Sequence, residues 1–210
     1  MPVFFQHEFS DSTKMAVWYI QEEEDFFLNA TALQRTITHP HKRLQHLAGR
    51  YLLSYLFPDF PQEEILIAST RKPYLKDDTF HFSVSHCGDY AAAIVSKDYR
   101  VGVDIELYQN KVLKVRDKFL NEREKELIKN EENNLSFITT LWSAKESVFK
   151  WWSYGGVDFG GNILFDNFSH QKEGVIGGRF VKDNFSKELE IHYRLFDEFS
   201  LTYVISNGLP

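Results

Sequence analysis

FHFSVSHCGDYAAAIVSKDYRVGVDIE, residues 80–106, carries three strand patterns in succession. Residues 80–86 and 90–96 are rich in aromatic, β-branched and small apolar side chains, and Cys87-Gly88-Asp89 between them has the composition of a turn. Val101 to Glu106 is the third strand. Side chains in a strand alternate, so Val101, Val103 and Ile105 point one way while Gly102, Asp104 and Glu106 point the other. The first set makes a core face. The second presents two carboxylates, with a glycine that leaves room beside them.

Outward from this centre, KMAVWYI (14–20) reads as a first strand. Asp25 to Phe57 reads as helical, with Leu44, Leu47, Tyr51, Leu52 and Tyr55 at spacings of three and four, and Pro58 and Pro61 end it. Ile65, Ile67 and Ser69 suggest a short strand. Beyond Glu106 the pattern changes: 111–130 is rich in Lys, Glu and Leu, and 136–152 is a second helical run with Phe137, Leu141, Ala144 and Val148 as its core stripe. Gly155 to Asn207 again alternates like strands. Each half runs through a helical stretch into a strand-turn-strand, which predicts an α+β fold of two similar halves, 1–105 and 106–210. No residue-by-residue repeat accompanies the hint. KNEENN (129–134) reads as an exposed, solvated turn.

With 43% hydrophobic residues, 19 Phe and 10 Tyr in 210 positions, the chain can bury a sizeable core, and the composition argues against long disordered stretches. A net charge of −6 argues against non-specific nucleic-acid binding, which draws its affinity from Lys and Arg on phosphates. It leaves room for a local basic patch. Cys87 is the only cysteine, which excludes an internal disulfide and a zinc site built on cysteines. The first fifteen residues lack a basic leader followed by an apolar run, and no apolar run approaches the ~20 residues of a membrane span. These features predict a cytoplasmic protein with no membrane association.

Hard cations such as Mg2+ take carboxylate oxygens together with substrate phosphates, so Asp104 and Glu106 on one strand face form a candidate ligand pair. With 30 acids in 210 residues, about four acid-x-acid pairs arise by chance, and an ordinary solvated strand edge stands beside the metal reading. In LWSAKESVFKWW (141–152), Glu146 and Lys150 lie one helical turn apart, with Trp142 a turn before them. They read either as a surface ion pair worth about 0.3–0.5 kcal/mol or as a metal ligand or base beside an ammonium that steadies a phosphate. Ser85 and His86 end a strand where hydroxyl and imidazole can reach an anion. As strand neighbours they face opposite ways and are no nucleophile–base pair. Arg71-Lys72-Pro73 sets two cations on a rigid turn, and Lys42, Arg43 and Arg50 lie on the early helix; Arg binds phosphate bidentately and Lys as a point charge.

Taken in order, Lys72-Pro73, Ser85-His86, Gly102-Val103-Asp104-Ile105-Glu106 and Trp142-Ser143-Ala144-Lys145-Glu146-Ser147 resemble the 4′-phosphopantetheinyl transferases of the larger, surfactin type. The match is close over 71–150, and the last signature, about 40 residues after the acidic strand, is the most discriminating. The resemblance implies two α+β halves related by a pseudo-twofold axis, with coenzyme A in the cleft between them. It implies Mg2+ on Asp104, Glu106 and Glu146, bridging to the pyrophosphate. The serine of an apo acyl or peptidyl carrier protein would attack the β-phosphate and take up phosphopantetheine, releasing adenosine 3′,5′-bisphosphate. Such carriers serve fatty acid, polyketide or nonribosomal peptide biosynthesis.

The same resemblance makes Glu146 the base and has Lys150 stabilise the transferring phosphate. His86 and Arg50 would contact the 3′-phosphate, Lys72 and Pro73 would border the adenine, and Ser85 and Lys145 join the coenzyme A contacts. Three unscreened carboxylates fit this role poorly without a cation, since unit charges about 4 Å apart cost ~4 kcal/mol per pair at an effective dielectric of about 20. A metal-bound carboxylate is, however, a feeble base. Arg71 stands where many relatives have Gly, Cys87 where a small hydroxyl residue is common, and Trp151-Trp152 where more polar residues are usual. The tryptophans read as core or as a carrier-docking surface, with core favoured. Lys114, Val115 and the 119–127 segment fall where family members meet the carrier. A hydrolase acting on the same pyrophosphate with water, and a non-catalytic carrier-binding relative, are the competing readings; the intact Asp104, Glu106, Glu146 and Lys150 argue against the latter. A monomer suffices, since one chain supplies both halves.

Overall fold

A computed structural model describes residues 3–31 and 36–207. They form two compact units, one ending at Val101 and resuming at Asn207, the other comprising Gly102–Ser206. Each unit sets one long helix against a sheet, so the α+β class read from the sequence is the class observed.

The first unit runs β1 (Val3–Ser10), β2 (Thr13–Tyr19), α1 (Glu24–Leu28), α2 (Pro40–Leu56), β3 (Leu66–Ile67), β4 (Pro73–Tyr74), β5 (His81–Cys87) and β6 (Tyr90–Ser96). Its main sheet has the order β1-β2-β6-β5, with every pairing antiparallel. Ala91, Ala93 and Val95 of β6 and Phe82 of β5 bury one face against Leu47, Ala48 and Leu52 of α2. Small alanines in the strand let the helix approach the sheet closely.

Two expectations change here. The first strand is β1 rather than 14–20; its run Gln6-His7-Glu8 is exposed, so this edge strand lacks the clean alternation that marks half-buried strands. Among the described residues the helix expected over 25–57 is two helices; residues 32–35 of that span lie outside the described residues. Pro40 occupies the first turn of α2, and His39 before it is extended, as the ring of a following proline demands. His39 caps α2 by accepting from the Lys42 amide, and the helix ends at an extended Phe57, directly before Pro58.

β7 (Arg100–Leu107) carries the chain from one unit into the other, so a sequence division at 105/106 would cut this strand. Then follow α3 (Lys111–Val115), α4 (Glu122–Leu127), α5 (Leu135–Trp152), α6 (Phe159–Asn162), β8 (Ile163–Asn167), β9 (Glu173–Lys182), β10 (Phe185–Leu195) and β11 (Phe199–Ser206). The sheet order is β7-β11-β10-β9-β8. Asn134 caps α5 by accepting from the Phe137 amide, and a left-handed Ser153 closes it. The stripe of Phe137, Leu141, Ala144 and Val148 is buried, and α5 packs on β11 and β10. Residues 129–133 are exposed in turns.

α5 also lies on the Gly102–Asp104 face of β7. A Cβ at Gly102 would stand 2.0 Å from the Ser147 carbonyl oxygen and 2.8 Å from the Trp151 amide nitrogen. The glycine therefore leaves room for a helix backbone, not for a ligand. Trp151 is fully buried and belongs to the core, whereas Trp152 is half-buried and packs on Phe180 and Phe185.

Candidate active site

Asp104 comes from the middle of β7 and is 5% exposed. Ser143 Oγ of α5 donates to its Oδ2 at 2.8 Å, and Lys150 Nζ, two helical turns on, donates to its Oδ1 at 2.7 Å. Ser143 also bonds Thr202 of β11 at 3.0 Å, which ties strand, helix and sheet together at this carboxylate. The 146/150 spacing suggested a pairing with Glu146, but the direct bond of Lys150 is to Asp104. Sequence reasoning gave no role to Ser143, although it lies in the signature that carried the resemblance.

Glu146 is half-buried on the same side of α5. Burial first, then the negative charges of Asp104 and Glu106, push its carboxyl up to about 7, against the opposing pull of Lys150. Asp104, Glu106, Glu146 and Lys150 thus share one electrostatic environment. Lys111 Nζ lies 3.1 Å from Glu106 at the outer edge. The donor set is hard oxygen and suits a divalent cation such as Mg2+, and the Glu146 carboxyl, raised first by burial and then by Asp104 and Glu106, is one that a cation would help to ionise. Among the described residues, however, no group of three or more His, Cys, Asp or Glu side chains is already arranged to hold a metal ion.

Beside Glu106 opens a cavity of about 600 Å³, walled by Val112, Val115, Phe119, Trp142 and Phe159 with Lys111 and Lys118 among its lining residues. The Trp142 ring lies 5.2 Å from Phe119 and 5.5 Å from Phe159, centroid to centroid, so the aromatic wall is continuous. A mostly apolar chamber next to clustered charge suits a ligand with a charged centre and an uncharged arm.

Lys145 does not belong to this cluster. It is fully buried, and its ammonium reaches both Glu124 carboxylate oxygens at 2.9 and 2.7 Å and the carbonyls of Phe159 and Ile163 at 2.9 and 2.8 Å. Burial pulls its pKa down and Glu124 opposes the shift. With four acceptors around three protons, nothing of the ammonium is left to face coenzyme A, which corrects the reading of Lys145 as a coenzyme A contact. Asn121-x-x-Glu124 forms a capping box at the start of α4, a pattern legible in the sequence but not drawn from it.

Arg50, Lys72, Pro73, Ser85 and His86 lie in the first unit. Arg50 is buried within α2 at 4% exposure, and Lys72 and Pro73 follow the turn of the β3–β4 hairpin. Ser85 is buried and His86 exposed, on opposite sides of β5. His41 and Gln45, one turn apart on α2, both reach the Gly88 carbonyl, at 2.9 and 2.7 Å, and so hold the turn that follows Ser85 and His86. Cys87 is half-buried and forms no disulfide. Arg71, directly before Lys72-Pro73, has φ +67°.

Residues 100–204, half of the chain, match the model of the 4′-phosphopantetheinyl transferase superfamily. The chain is 31% identical over 108 residues to the 4′-phosphopantetheinyl transferase gsp of Aneurinibacillus migulanus, covering 50% of this chain and 44% of that protein. It is 31% identical over 115 residues to enterobactin synthase component D of Salmonella typhi, covering 52% and 47%. With the 4′-phosphopantetheinyl transferase psf-1 of Bacillus pumilus it shares 30% over 112 residues, covering 50% and 48%. The chain spans about half the length of these curated relatives or less.

Proposed function

We infer what this chain does from one premise: it belongs to the 4′-phosphopantetheinyl transferase superfamily. We propose that it transfers 4′-phosphopantetheine from coenzyme A to a serine of an apo acyl or peptidyl carrier protein, with Mg2+. The observation that carries the reading is the cluster of Asp104, Glu106, Glu146 and Lys150 on facing surfaces of β7 and α5.

Asp104, Glu106 and Glu146 would hold the cation; when bound, it neutralises the pyrophosphate and lowers the charge on the leaving phosphate. Ser143 fixes the Asp104 rotamer for that task. Glu146 accepts the proton of the carrier serine, directly or through water. The serine oxygen forms a bond to the β-phosphorus, and the bond from that phosphorus to the bridging oxygen breaks. Adenosine 3′,5′-bisphosphate leaves with the electron pair, and Lys150 stabilises the phosphoryl group in passage. Arg50 and His86 take the 3′-phosphate with Ser85 beside them, and Lys72-Pro73 borders the adenine. The pantetheine arm, attached where Glu106 stands, has the walls of Trp142, Phe119 and Phe159 to lie on. Lys114, Val115 and the exposed side of α4 are the proposed approach of the carrier. The supply of coenzyme A supports a cytoplasmic setting; among the described residues no helix is long and apolar enough to cross a membrane.

Incubation with coenzyme A, Mg2+ and a panel of apo carriers from fatty acid, polyketide and peptide synthesis tests the proposal. A carrier mass gain of about 340 Da at the serine is the expected result. Coenzyme A cleavage without carrier modification would make the chain a hydrolase, and carrier binding with neither would make it a binding relative.

A further inference from the structure

The pair Glu124–Lys145 is buried more completely than any other ion pair among the described residues, both side chains being fully inaccessible. Its bonds reach four separate segments. Glu124 accepts from its own cap residue Asn121 at 2.9 Å and from the Phe165 amide of β8 at 2.8 Å, besides both contacts to Lys145. Lys145 adds the carbonyls of Phe159, in α6, and Ile163, at the start of β8. α4, α5, α6 and β8 therefore converge on two charges.

Burying that pair is expensive in desolvation, and apolar side chains of similar volume commonly stabilise such a place as well or better. Stability alone gives weak reason for it. Its location gives a better one. Lys145 immediately precedes Glu146 and lies about 100° around the helix from it. Anchoring Lys145 toward α4 and β8 fixes the rotation of α5 that turns Glu146 toward Asp104 and Glu106. The bond to the Phe159 carbonyl holds the residue whose ring meets Trp142 in the cavity wall. One pair thus sets both the carboxylate and the apolar wall.

We propose that Glu124 and Lys145 are positioning residues for the transfer reaction, orienting Glu146 and the Trp142–Phe159 wall without touching coenzyme A. This rests on the function proposed above. It separates from the coenzyme A-contact reading of Lys145 through kinetics. Loss of a contact made equally to substrate and transition state raises KM, whereas misplacement of the base lowers kcat.

The test uses Lys145→Met/Glu124→Gln, which removes both charges, nearly keeps volume and leaves an acceptor for the Phe165 amide. Glu124→Asp, which keeps both charges but shortens the reach, is measured in parallel in case the double variant does not fold. Thermal unfolding identifies the folded variants. The expected result is a fall in kcat of about tenfold or more in a folded variant, with KM for coenzyme A within about twofold of wild type. A folded variant with wild-type kcat overturns the proposal, as does a rise confined to KM, which would return Lys145 to coenzyme A. A wild-type chain that modifies no carrier overturns the function itself, a result distinct from active wild type with active variants.

Discussion

Lys150 Nζ donates to Asp104 Oδ1 at 2.7 Å, so the ammonium already holds an oxygen that a divalent cation would need. The two cations compete for one carboxylate, and coenzyme A phosphates would draw Lys150 away as the metal arrives. Lys150→Met keeps the aliphatic stem and removes the charge. Calorimetric titration with Mg2+ in the absence of coenzyme A should show tighter binding to the variant, by severalfold. Its turnover should fall about a hundredfold, the scale set by loss of one donor to a developing charge. Unchanged Mg2+ affinity together with unchanged turnover would remove Lys150 from the site.

The raised carboxyl of Glu146 makes stability depend on pH with a definite sign. Its pKa is about 7 in the fold against an ordinary value of 4.5, so the folded state binds the proton more tightly. The resulting stabilisation is fully present below about 4.5 and is lost as pH rises through about 7. Glu146→Gln has no such proton to lose. In chelator, urea titrations should show the variant gaining on wild type between pH 5 and pH 8, by on the order of 2 kcal/mol. Mg2+ added at pH 8 should narrow the gap. Equal pH profiles for both proteins would mean that neither burial nor the charges of Asp104 and Glu106 raise the Glu146 carboxyl.

The parts of this site that the sequence makes legible are those set by local periodicity. Strand alternation puts Asp104 and Glu106 on one face, and the 3.6 period of α5 separates Glu146 and Lys150 from the core stripe. What it hides is which partner lies opposite. The sequence reads Gly102 as open space, but the Ser147 carbonyl fills that space. Lys145 and Glu146 are neighbours of like polarity in the sequence, yet one is locked in the core and the other turns to the carboxylates. Such differences come from tertiary contacts 20 to 45 residues distant, for which no local pattern exists. Edge strand β1 escaped for the opposite reason, since its exposed middle carries no hydrophobic period.

Arg71 has φ +67°, a conformation that costs a residue with a Cβ roughly 1–2 kcal/mol and glycine little. The turn itself is well made, with Arg71 N to Ala68 O at 2.8 Å and Ala68 N to Lys72 O at 2.9 Å. Arg71→Gly should therefore raise stability. The gain is about 0.5–1 kcal/mol after allowance for the freer unfolded chain. Differential scanning calorimetry reads it as a rise in Tm. A lower Tm would mean that the arginine side chain contributes more than the backbone strain removes.

Two glycines on or beside long helices should respond to alanine with opposite signs. At Gly49, within α2, an added Cβ meets only the Val84 Cβ at 3.8 Å, an ordinary van der Waals distance. Alanine there gains helix propensity and should stabilise by up to about 1 kcal/mol. At Gly102 the same methyl would sit 2.0 Å from the Ser147 carbonyl oxygen and 2.9 Å from the Trp151 Cβ. Backbone on both sides cannot yield, so α5 must lift from β7, carrying Ser143 and Lys150 away from Asp104. Gly102→Ala should cost about 3 kcal/mol or more and abolish transfer even where the protein still folds. Urea midpoints for the pair give the signs directly. A Gly102→Ala protein as stable and active as wild type would show that α5 does not rest on this strand.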